Sequence, residues 1–365
     1  MPIRIGPSFR RKPFRAAWWI RNPHLQTILP AYRRIQPISR QRSMLKTPDQ
    51  DFLDLDWTLG TRKELVVLLH GLTGSSNSVY VLGLQKALMD AGFRTVALNF
   101  RGCSGRPNNR ANAYHSGETG DLDHVYREIR RMEPDTPIAA VGFSLGGNVL
   151  LKWLGEMGSA LDLFAAVAIS VPFELSKCAT RMDRGFSRLY RNLMLNDLNR
   201  YMAEKHHHLI RIGALEEAAK IESLGDLSGI RSFWDYDDRV IAPLYGFQNV
   251  LEYYGQSSSR GYLSSISVPT LLIQSLDDPF LTPDIIPESD ELPPNVHLEI
   301  SPQGGHVGFV SGMVPGKPSY WLEDKIPGYL LSAMRTYSGI AKGAEQPVPI
   351  GCKPVSESVI MGSRS

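Results

Sequence analysis

A serine flanked by glycines carries the strongest chemical signal in this sequence. Ser144 stands at the centre of Gly142-Phe-Ser-Leu-Gly146, directly after a run that predicts a strand and directly before a pattern that predicts a helix. So tight a turn brings other backbone close to the positions two before and two after the serine, and glycine leaves room there. The serine would also begin the helix, where the helix dipole favours negative charge. We interpret Ser144 as a nucleophile; the alternative is a glycine-rich turn with an ordinary N-cap serine.

Two later segments could supply an acid and a base. Asp277 and Asp278 follow one predicted strand, and His306 follows the next one, after two glycines. The chain order Ser, Asp, His is that of one class of serine hydrolases and differs from the orders in chymotrypsin and subtilisin. His306 would accept the proton of Ser144, while an aspartate would hold the other ring nitrogen and stabilise the imidazolium. We favour Asp278 because prolines fix the turn behind it, and Asp277 remains the alternative.

The segment His70-Gly-Leu-Thr-Gly74 follows the first long apolar run. A loop at that place can lend a backbone N–H to an oxyanion hole, which stabilises negative charge on a reacting carbonyl oxygen. Leu72 N–H is the predicted donor from this loop. Leu145 N–H, directly after the nucleophile, is the predicted second donor. His70 is expected to brace the loop by hydrogen bonds and not to act as the base.

The elements that must position these residues follow from hydrophobic patterning. Short apolar runs that end near glycine or aspartate predict strands buried on both faces, and hence a parallel sheet. Between them, apolar residues recur with helical spacing. This alternation predicts an α/β fold with a mostly parallel central sheet and helices on both of its faces. The predicted strands are 65–69, 95–100, 138–141, 164–170, 270–274 and 296–300, and the predicted helices are 79–91, 120–132 and 146–157.

The alternation of strand and helix lapses between the fourth and fifth predicted strands. This stretch is aromatic, polar and helix-prone, and it predicts a helical cap inserted over the sheet. Phe233, Trp234 and Tyr245 are its predicted pocket residues, with ordinary packing of core aromatics as the alternative. Near the C-terminus, a composition rich in Gly, Pro and Ser predicts a flexible tail. The predicted organisation is a basic N-terminal arm packing on the core (1–48), a first core part (49–171), the cap (172–265), a second core part (266–338) and the tail (339–365).

Composition restricts the possible functions. The 365 residues are 42% hydrophobic and 21% charged, and a formal net charge of +3 gives no support for a nucleic-acid partner. Three scattered cysteines predict no disulfide framework and favour a reducing compartment. No apolar run approaches the length of a transmembrane helix and no signal peptide is evident, so a cytoplasmic location is expected. His206-His-His208 is interpreted as a solvated helix face, and no metal or other cofactor is predicted.

The N-terminal arm contains many arginines and no acidic residue before Asp49. One interpretation is an arm that lies over an acidic face of the same domain. A second is peripheral contact with an anionic membrane. A transit peptide is the third, and it is disfavoured because four prolines break the amphipathic helix it would need, namely Pro2, Pro7, Pro13 and Pro23.

Beyond these signals, the chain from about residue 18 to residue 337 resembles the YheT-like branch of the α/β hydrolases. The segments that carry the resemblance are Arg21-Asn-Pro-His-Leu-Gln-Thr27, Asp51-Phe-Leu-Asp-Leu-Asp-Trp57, His70-Gly-Leu-Thr-Gly74, Asn99-Phe-Arg-Gly-Cys-Ser-Gly105, Tyr114-His-Ser-Gly-Glu-Thr119 and Gly142-Phe-Ser-Leu-Gly-Gly-Asn148. The resemblance implies the α/β-hydrolase fold and a carboxylic ester hydrolase with acyl-ester or lipid-like substrates. It also implies a triad of Ser144, Asp278 and His306. Tyr245 stands where the resemblance implies a histidine.

The favoured function is a serine-dependent carboxylic ester hydrolase that forms an acyl-enzyme on Ser144 without metal or organic cofactor. Its predicted partner is a small-molecule or lipid-like acyl ester of unspecified chain length. An acyltransferase with the same triad is one alternative, because the acyl-enzyme is common to both reactions. A non-catalytic binding protein with the same fold is the other alternative, and the intact Ser, Asp and His residues argue against it.

Overall fold

An eight-stranded sheet forms the centre of the chain, of which this computed structural model describes residues 13–33, 35 and 37–344. Strands β3 to β8 run parallel, and the first two strands are antiparallel. The spatial order is β1-β2-β4-β3-β5-β6-β7-β8. The strands are β1 (Gln41–Lys46), β2 (Phe52–Thr58), β3 (Leu65–Leu69), β4 (Arg94–Asn99), β5 (Ile138–Phe143), β6 (Leu163–Ile169), β7 (Thr270–Ser275) and β8 (Val296–Ser301), and a separate ribbon pairs β9 (Val310–Ser311) with β10 (Ser319–Tyr320).

The predicted α/β fold class is confirmed, and so are all six strands predicted from apolar runs. Strands β3, β5, β6 and β7 are buried at every position, as expected for strands covered on both faces. Their alternate side chains enter two separate cores, one on each face of the sheet. Because each buried Leu, Val or Ile contributes about 1.5–3 kcal/mol, this double burial holds the strand ends in fixed register.

Two strands of the eight-stranded sheet, β1 and β2, were not predicted. Strand β2 is almost wholly buried, but Asp54 and Asp56 interrupt its apolar pattern. Arg106 and Arg42 each form a two-pronged ion pair with one of these carboxylates. Strand β1 is mostly exposed at the edge of the sheet. The sheet therefore begins before residue 48, the predicted boundary between arm and core.

Helices cover both faces of the sheet, as predicted. Helices α3 and α4 pack on one face, and α2 and α11 pack on the other. The helices of the described chain are α1 (Pro23–Ile28), α2 (Val79–Asp90), α3 (Gly120–Met132), α4 (Leu145–Met157), α5 (Leu175–Met182), α6 (Ser187–Arg211), α7 (Leu215–Glu222), α8 (Phe233–Tyr236), α9 (Ala242–Tyr245), α10 (Val250–Ser257) and α11 (Trp321–Ala344).

The segment between β6 and β7, described at every residue, contains helices α5 to α10 and no strand. This agrees with the predicted helical cap. A short π-helical turn, Asp237–Ile241, joins α8 to α9. The cap has an apolar core of its own, made by Leu195, Leu198, Met202, Leu209, Ala218, Ile221, Ile230 and Val240 together with Ala111 and Tyr236.

The described part of the N-terminal segment packs against the domain. The Phe14 ring contacts the rings of Phe309 and Trp321 at centroid distances of 5.2 and 5.6 Å. Arg33 forms a two-pronged ion pair with Glu323 at the start of α11. These contacts place Phe14 and Arg33 against the same domain, and an arm that lies over an acidic face of that domain stays a prediction.

Two predictions fall partly outside the described residues. Helix α11 extends to Ala344, so a helix occupies the first positions of the predicted tail, and residues 345–365 lie outside the described part of the chain. Residues 1–12 of the predicted arm also lie outside it. Within the described ranges, no helix has the length and apolar character needed to cross a membrane.

Candidate active site

Strand β5 and helix α4 meet in a sharp turn whose apex is Ser144. This residue adopts φ 52° and ψ −119°, a strained backbone conformation for a residue with a side chain. A Cβ at Gly142 would lie 2.4 Å from the carbonyl oxygen of Gly146, and a Cβ at Gly146 would lie 2.4 Å from that of His70. Both glycines of the motif are therefore required by the space available.

The side chains of Ser144, His306 and Asp278 form one hydrogen-bonded chain. His306 Nε2 lies 2.9 Å from Ser144 Oγ, and His306 Nδ1 lies 2.8 Å from Asp278 Oδ2. Asp278 is 4% exposed and His306 is 9% exposed, so little water competes for these bonds. The Phe280 ring stacks on the imidazole at a centroid distance of 4.2 Å. The arrangement can move the serine proton to the imidazole and keep the resulting imidazolium beside a carboxylate.

The neighbouring carboxylate, Asp277, faces a different partner. Its Oδ1 accepts a hydrogen bond from the backbone N–H of Gly305 at 2.9 Å, whereas the imidazole of the next residue, His306, pairs with Asp278. Burial raises the pKa of Asp277 above its ordinary value. Of the two candidate acids, the structure thus brings Asp278 to the imidazole and Asp277 to the backbone of the histidine loop.

The loop after β3 is braced by His70, as predicted. Its Nδ1 lies 2.8 Å from the Gly71 carbonyl oxygen, and its Nε2 accepts a hydrogen bond from Phe100 N at 3.1 Å. Nδ1 must therefore carry the proton. Burial lowers the pKa of His70 to about 4, so the ring stays neutral and both bonds persist at neutral pH.

Most backbone N–H groups of this loop already have acceptors. Gly71 N donates to the Tyr80 hydroxyl, Thr73 N donates to the Tyr114 hydroxyl, and Gly74 N donates to the Gly71 carbonyl. In the described part of the chain, Leu72 N–H has no such acceptor. Leu72 and Leu145, the two predicted oxyanion donors, both line the same cavity as Ser144.

A cavity of about 520 Å³ lies between the sheet and the cap, and Ser144 and His306 form part of its wall. Its surface is largely apolar. Of the predicted pocket residues, Phe233 and Tyr245 line it. The cap contributes further apolar lining from α5, α6, the π-helical turn and α9, including Leu175, Met182, Met194, Leu198, Met202, Val240, Ile241 and Leu244.

The third predicted pocket residue, Trp234, does not line the cavity. Its indole N–H donates to Thr180 Oγ1 at 3.1 Å, and its ring packs edge-on against Tyr254. Because α8 is helical, adjacent residues point in different directions, and Phe233 faces the cavity while Trp234 faces α5 and α10. The prediction for Trp234 is therefore wrong.

Sequence reasoning did not identify Asp237 as a cavity residue. Asp237 lines the cavity, and its Oδ2 accepts a hydrogen bond from the Tyr254 hydroxyl at 2.7 Å. Burial raises the pKa of Asp237 from 3.8 to about 7. The run Asp235-Tyr-Asp-Asp238 is an acidic cluster that the sequence does show, but nothing in the sequence indicates which of its three aspartates lines the cavity.

The raised pKa of Asp237 predicts a pH-dependent stability effect. The unfolded chain ionises this carboxyl near pH 4, whereas the folded protein keeps it protonated up to about pH 7. Its contribution to stability is therefore lost as the pH rises between these values. Asp237→Asn cannot ionise and keeps an oxygen for Tyr254. We expect the variant to match the wild type near pH 4 and to exceed it at neutral pH by at most about 4 kcal/mol. Thermal unfolding across this pH range measures the effect, and a difference independent of pH would contradict it.

Among the described residues, neither the Cys103 thiol nor a cluster of metal-binding side chains forms a competing site. Burial raises the pKa of the Cys103 thiol to about 12, so the nucleophilic thiolate does not form at neutral pH. Within the described ranges, no group of three or more His, Cys, Asp or Glu side chains is arranged to hold a metal ion.

Comparison with known proteins identifies the family. Residues 64–312 match the alpha/beta hydrolase fold family. The described chain also resembles the crystal structure of the Pyrococcus furiosus esterase Pf2001, with a TM-score of 0.51 over 84% of this chain and 96% of that one; at 18% sequence identity this likeness concerns the fold. Fold and family together define the chain as an α/β hydrolase.

Two relatives that match most of this chain define the branch of the family to which it belongs. YheT of Escherichia coli (strain K12) is 39% identical over 322 residues, which is 87% of this chain and 92% of YheT. Phospholipase ABHD3 of Homo sapiens is 29% identical over 306 residues, 81% of this chain and 73% of that protein. The chain belongs to the YheT-like α/β hydrolases, which confirms the resemblance noted in its sequence motifs.

Proposed function

We propose that this protein is a serine carboxylic ester hydrolase that acts through an acyl-enzyme on Ser144. The observation that carries the proposal is the hydrogen-bonded chain Ser144–His306–Asp278 in the wall of an apolar cavity. Ser144 Oγ attacks the ester carbonyl carbon while His306 Nε2 takes its proton. The imidazolium returns that proton to the departing alcohol as the ester C–O bond breaks. A water molecule, deprotonated by His306, then attacks the acyl carbon. The bond from the acyl carbon to Ser144 Oγ breaks, the imidazolium returns the proton to Oγ, and the acid leaves.

The negative charge that develops on the carbonyl oxygen needs hydrogen-bond donors. Leu72 N–H and Leu145 N–H are the proposed pair. Leu72 N–H is supported by the contacts of its loop, in which the amide groups of Gly71, Thr73 and Gly74 donate within the protein. Leu145 is the first residue of α4, so its N–H is one of those that a helix leaves without an intrahelical partner. Such preorganised donors are worth about 3–4 kcal/mol each in comparable sites.

The proposed substrate is an ester with an apolar acyl chain. Transfer of each CH₂ from water into an apolar cavity contributes about 0.8 kcal/mol, and a cavity of about 520 Å³ can hold a chain of several carbons. A lipid-like ester is consistent with the name of the relative phospholipase ABHD3. Acyl transfer to an alcohol remains the alternative within the same mechanism. A binding protein without activity would leave Ser144 unreactive.

Peripheral contact with anionic lipid through the N-terminal arm also remains a proposal. Arg15 and Arg21 are exposed, whereas Arg33 and Arg42 form ion pairs with Glu323 and Asp56. A cytoplasmic location is proposed from the sparse, scattered cysteines, of which Cys103 and Cys178 are free thiols.

The experiment that tests the proposed function is hydrolysis of p-nitrophenyl esters of graded acyl length by the purified protein. We expect saturable release of p-nitrophenol, with kcat/KM rising with chain length until the cavity is full. Absence of release with every ester, from a folded preparation, would contradict the proposal.

The cap is expected to set the chain-length preference through Phe233. Phe233→Ala should change the acyl length at which kcat/KM is highest, with acetyl esters affected least, because only longer chains reach the cap. Trp234→Ala is the matched control, since Trp234 is the next residue along the chain, is also aromatic and lies outside the cavity wall. The measurement is kcat/KM against chain length for both variants. A uniform decrease across all lengths for Phe233→Ala, or an equal shift for Trp234→Ala, would remove the cap as the specificity element.

A further inference from the structure

Helix α1 lies against the loop that carries His306. Asn22 caps this helix by accepting hydrogen bonds from the backbone N–H groups of His24 and Leu25. At the other end of the helix, Thr27 Oγ1 accepts a hydrogen bond from the backbone N–H of His306 itself, at 2.9 Å. Thr27 Oγ1 also donates to the Pro23 carbonyl at 2.8 Å, which fixes the rotamer that faces the loop.

Gln26 holds the far end of the same loop. Its Oε1 accepts from Val310 N at 2.6 Å, and its Nε2 donates to Val310 O at 2.9 Å and to Ile20 O at 2.8 Å. The side chain is 0% exposed. A buried amide that satisfies both backbone groups of one residue fixes the position of that residue, because any displacement leaves several polar groups without partners.

The loop between these two attachments has an unusual backbone. Val307 and Phe309 adopt φ values of 65° and 43°, which are costly for residues with side chains and persist only where surrounding contacts impose them. The approach of α1 is very close, since a Cβ at Gly305 would lie 2.6 Å from the Pro23 carbonyl oxygen and a Cβ at Gly308 would lie 1.9 Å from that of Gln26.

The opposite side of the loop is held by the sheet. Ser275 Oγ donates to the Gly305 carbonyl at 2.7 Å, Val307 N donates to Ser170 Oγ at 3.1 Å, and Gly305 N donates to Asp277. The histidine loop is therefore clamped between the carboxyl ends of the strands and helix α1. Among the described residues, the backbone N–H of the histidine itself is bound from the α1 side, by Thr27 Oγ1.

We propose that Thr27 and Gln26 are positioning residues for the base, and that α1 holds His306 in line between Ser144 and Asp278. The inference rests on the proposed function of the Ser144–His306–Asp278 chain. It also assigns a physical role to the segment Asn22-Pro-His-Leu-Gln-Thr27, whose side chains carry no obvious chemistry of their own.

The test compares Thr27→Val, Thr27→Ser and Leu25→Ala. Valine keeps the shape of threonine but offers no acceptor to His306 N–H, whereas serine keeps the acceptor. Leu25 lies on the same helix and is 51% exposed, so its variant controls for general effects on α1. We expect Thr27→Val to lower kcat about 10- to 100-fold, the loss typical of a small misplacement of a reacting group, with KM changed less than threefold. Thr27→Ser and Leu25→Ala should stay within about threefold of the wild type.

Thr27 also lines the cavity, so the rate of Ser144 labelling by a small fluorophosphonate is measured alongside. This reagent needs the base but no acyl pocket, and its rate should fall with kcat in Thr27→Val and recover in Thr27→Ser. Gln26→Leu supplies a second variant with no lining residue changed, and the same loss of labelling is expected from it at a temperature where it is folded. Wild-type labelling rates in both Thr27→Val and folded Gln26→Leu would overturn the proposal. If the wild-type protein itself does not label at Ser144, the proposed function fails instead.

Discussion

Ser144→Ala is expected to lose about 10⁴- to 10⁶-fold in kcat for ester hydrolysis while keeping its fold. Without Oγ, no acyl-enzyme can form, and the remaining rate is what the oxyanion donors and the cavity can give to attack by water. The fold should tolerate the alanine, because a positive φ of 52° strains the backbone no more with an alanine side chain than with a serine side chain. The measurement is p-nitrophenyl ester turnover by a preparation with wild-type circular dichroism and melting temperature.

The melting temperature of the Ser144→Ala variant is the control for its folding. His306 and Asp278 should still pair when the serine oxygen is gone, so the melting temperature should change by only a few degrees. Turnover close to that of the wild type in a clean Ser144→Ala preparation would eliminate Ser144 as the nucleophile.

Asp278→Asn is expected to cost on the order of 10⁴ in kcat, and Asp277→Asn less than about tenfold. The asparagine at 278 has no negative charge to stabilise an imidazolium. Its amide N–H can donate to His306 Nδ1, which would favour the tautomer that carries its proton on Nε2 and cannot accept the serine proton there. At position 277, by contrast, the asparagine oxygen can still accept the hydrogen bond from Gly305 N that the carboxylate accepts at 2.9 Å. The two isosteric variants thus form a matched pair, assayed with the same ester at the same pH.

The opposite ranking would reverse the assignment of the two carboxylates. Equal and small losses would show that the imidazole works without a carboxylate partner. Equal and large losses, together with lower melting temperatures, would show that both variants disturb the histidine loop and leave the assignment of Asp278 unsupported.

The fold could be predicted as far as hydrophobic patterning extends. Strands β3, β5, β6 and β7 are buried at every position because both faces of the sheet are covered there. The ends of β5, β7 and β8 lead to Ser144, Asp278 and His306. Strand β2 escaped prediction because Asp54 and Asp56 lie inside it, and their partners, Arg106 and Arg42, are distant or unremarkable in sequence. Tertiary ion pairing of this kind leaves no local pattern.

The sequence predicted the chain order of the candidate Ser, Asp and His residues, but it did not predict which neighbouring side chains contact them or line the cavity. Because parallel strands end at the same edge of the sheet, the sequence predicts that both Asp277 and Asp278 lie near His306. Only the path of the loop in the structure shows that Asp278 faces the imidazole and Asp277 faces Gly305 N. Aromatic composition marked the cap, yet it could not separate Phe233 from Trp234, since that distinction depends on the rotation of a four-residue helix. The contact between Thr27 and His306 spans 279 positions and has no periodic signature at all.

The central claim is that Ser144 is a nucleophile activated by His306. The measurement that tests it most directly is labelling of the purified protein with a fluorophosphonate, followed by intact mass and peptide mapping. One adduct per chain, located on Ser144 and lost in both Ser144→Ala and His306→Ala, is the predicted result. A folded wild-type protein that takes up no label, or that carries its label on a residue other than Ser144, would contradict it.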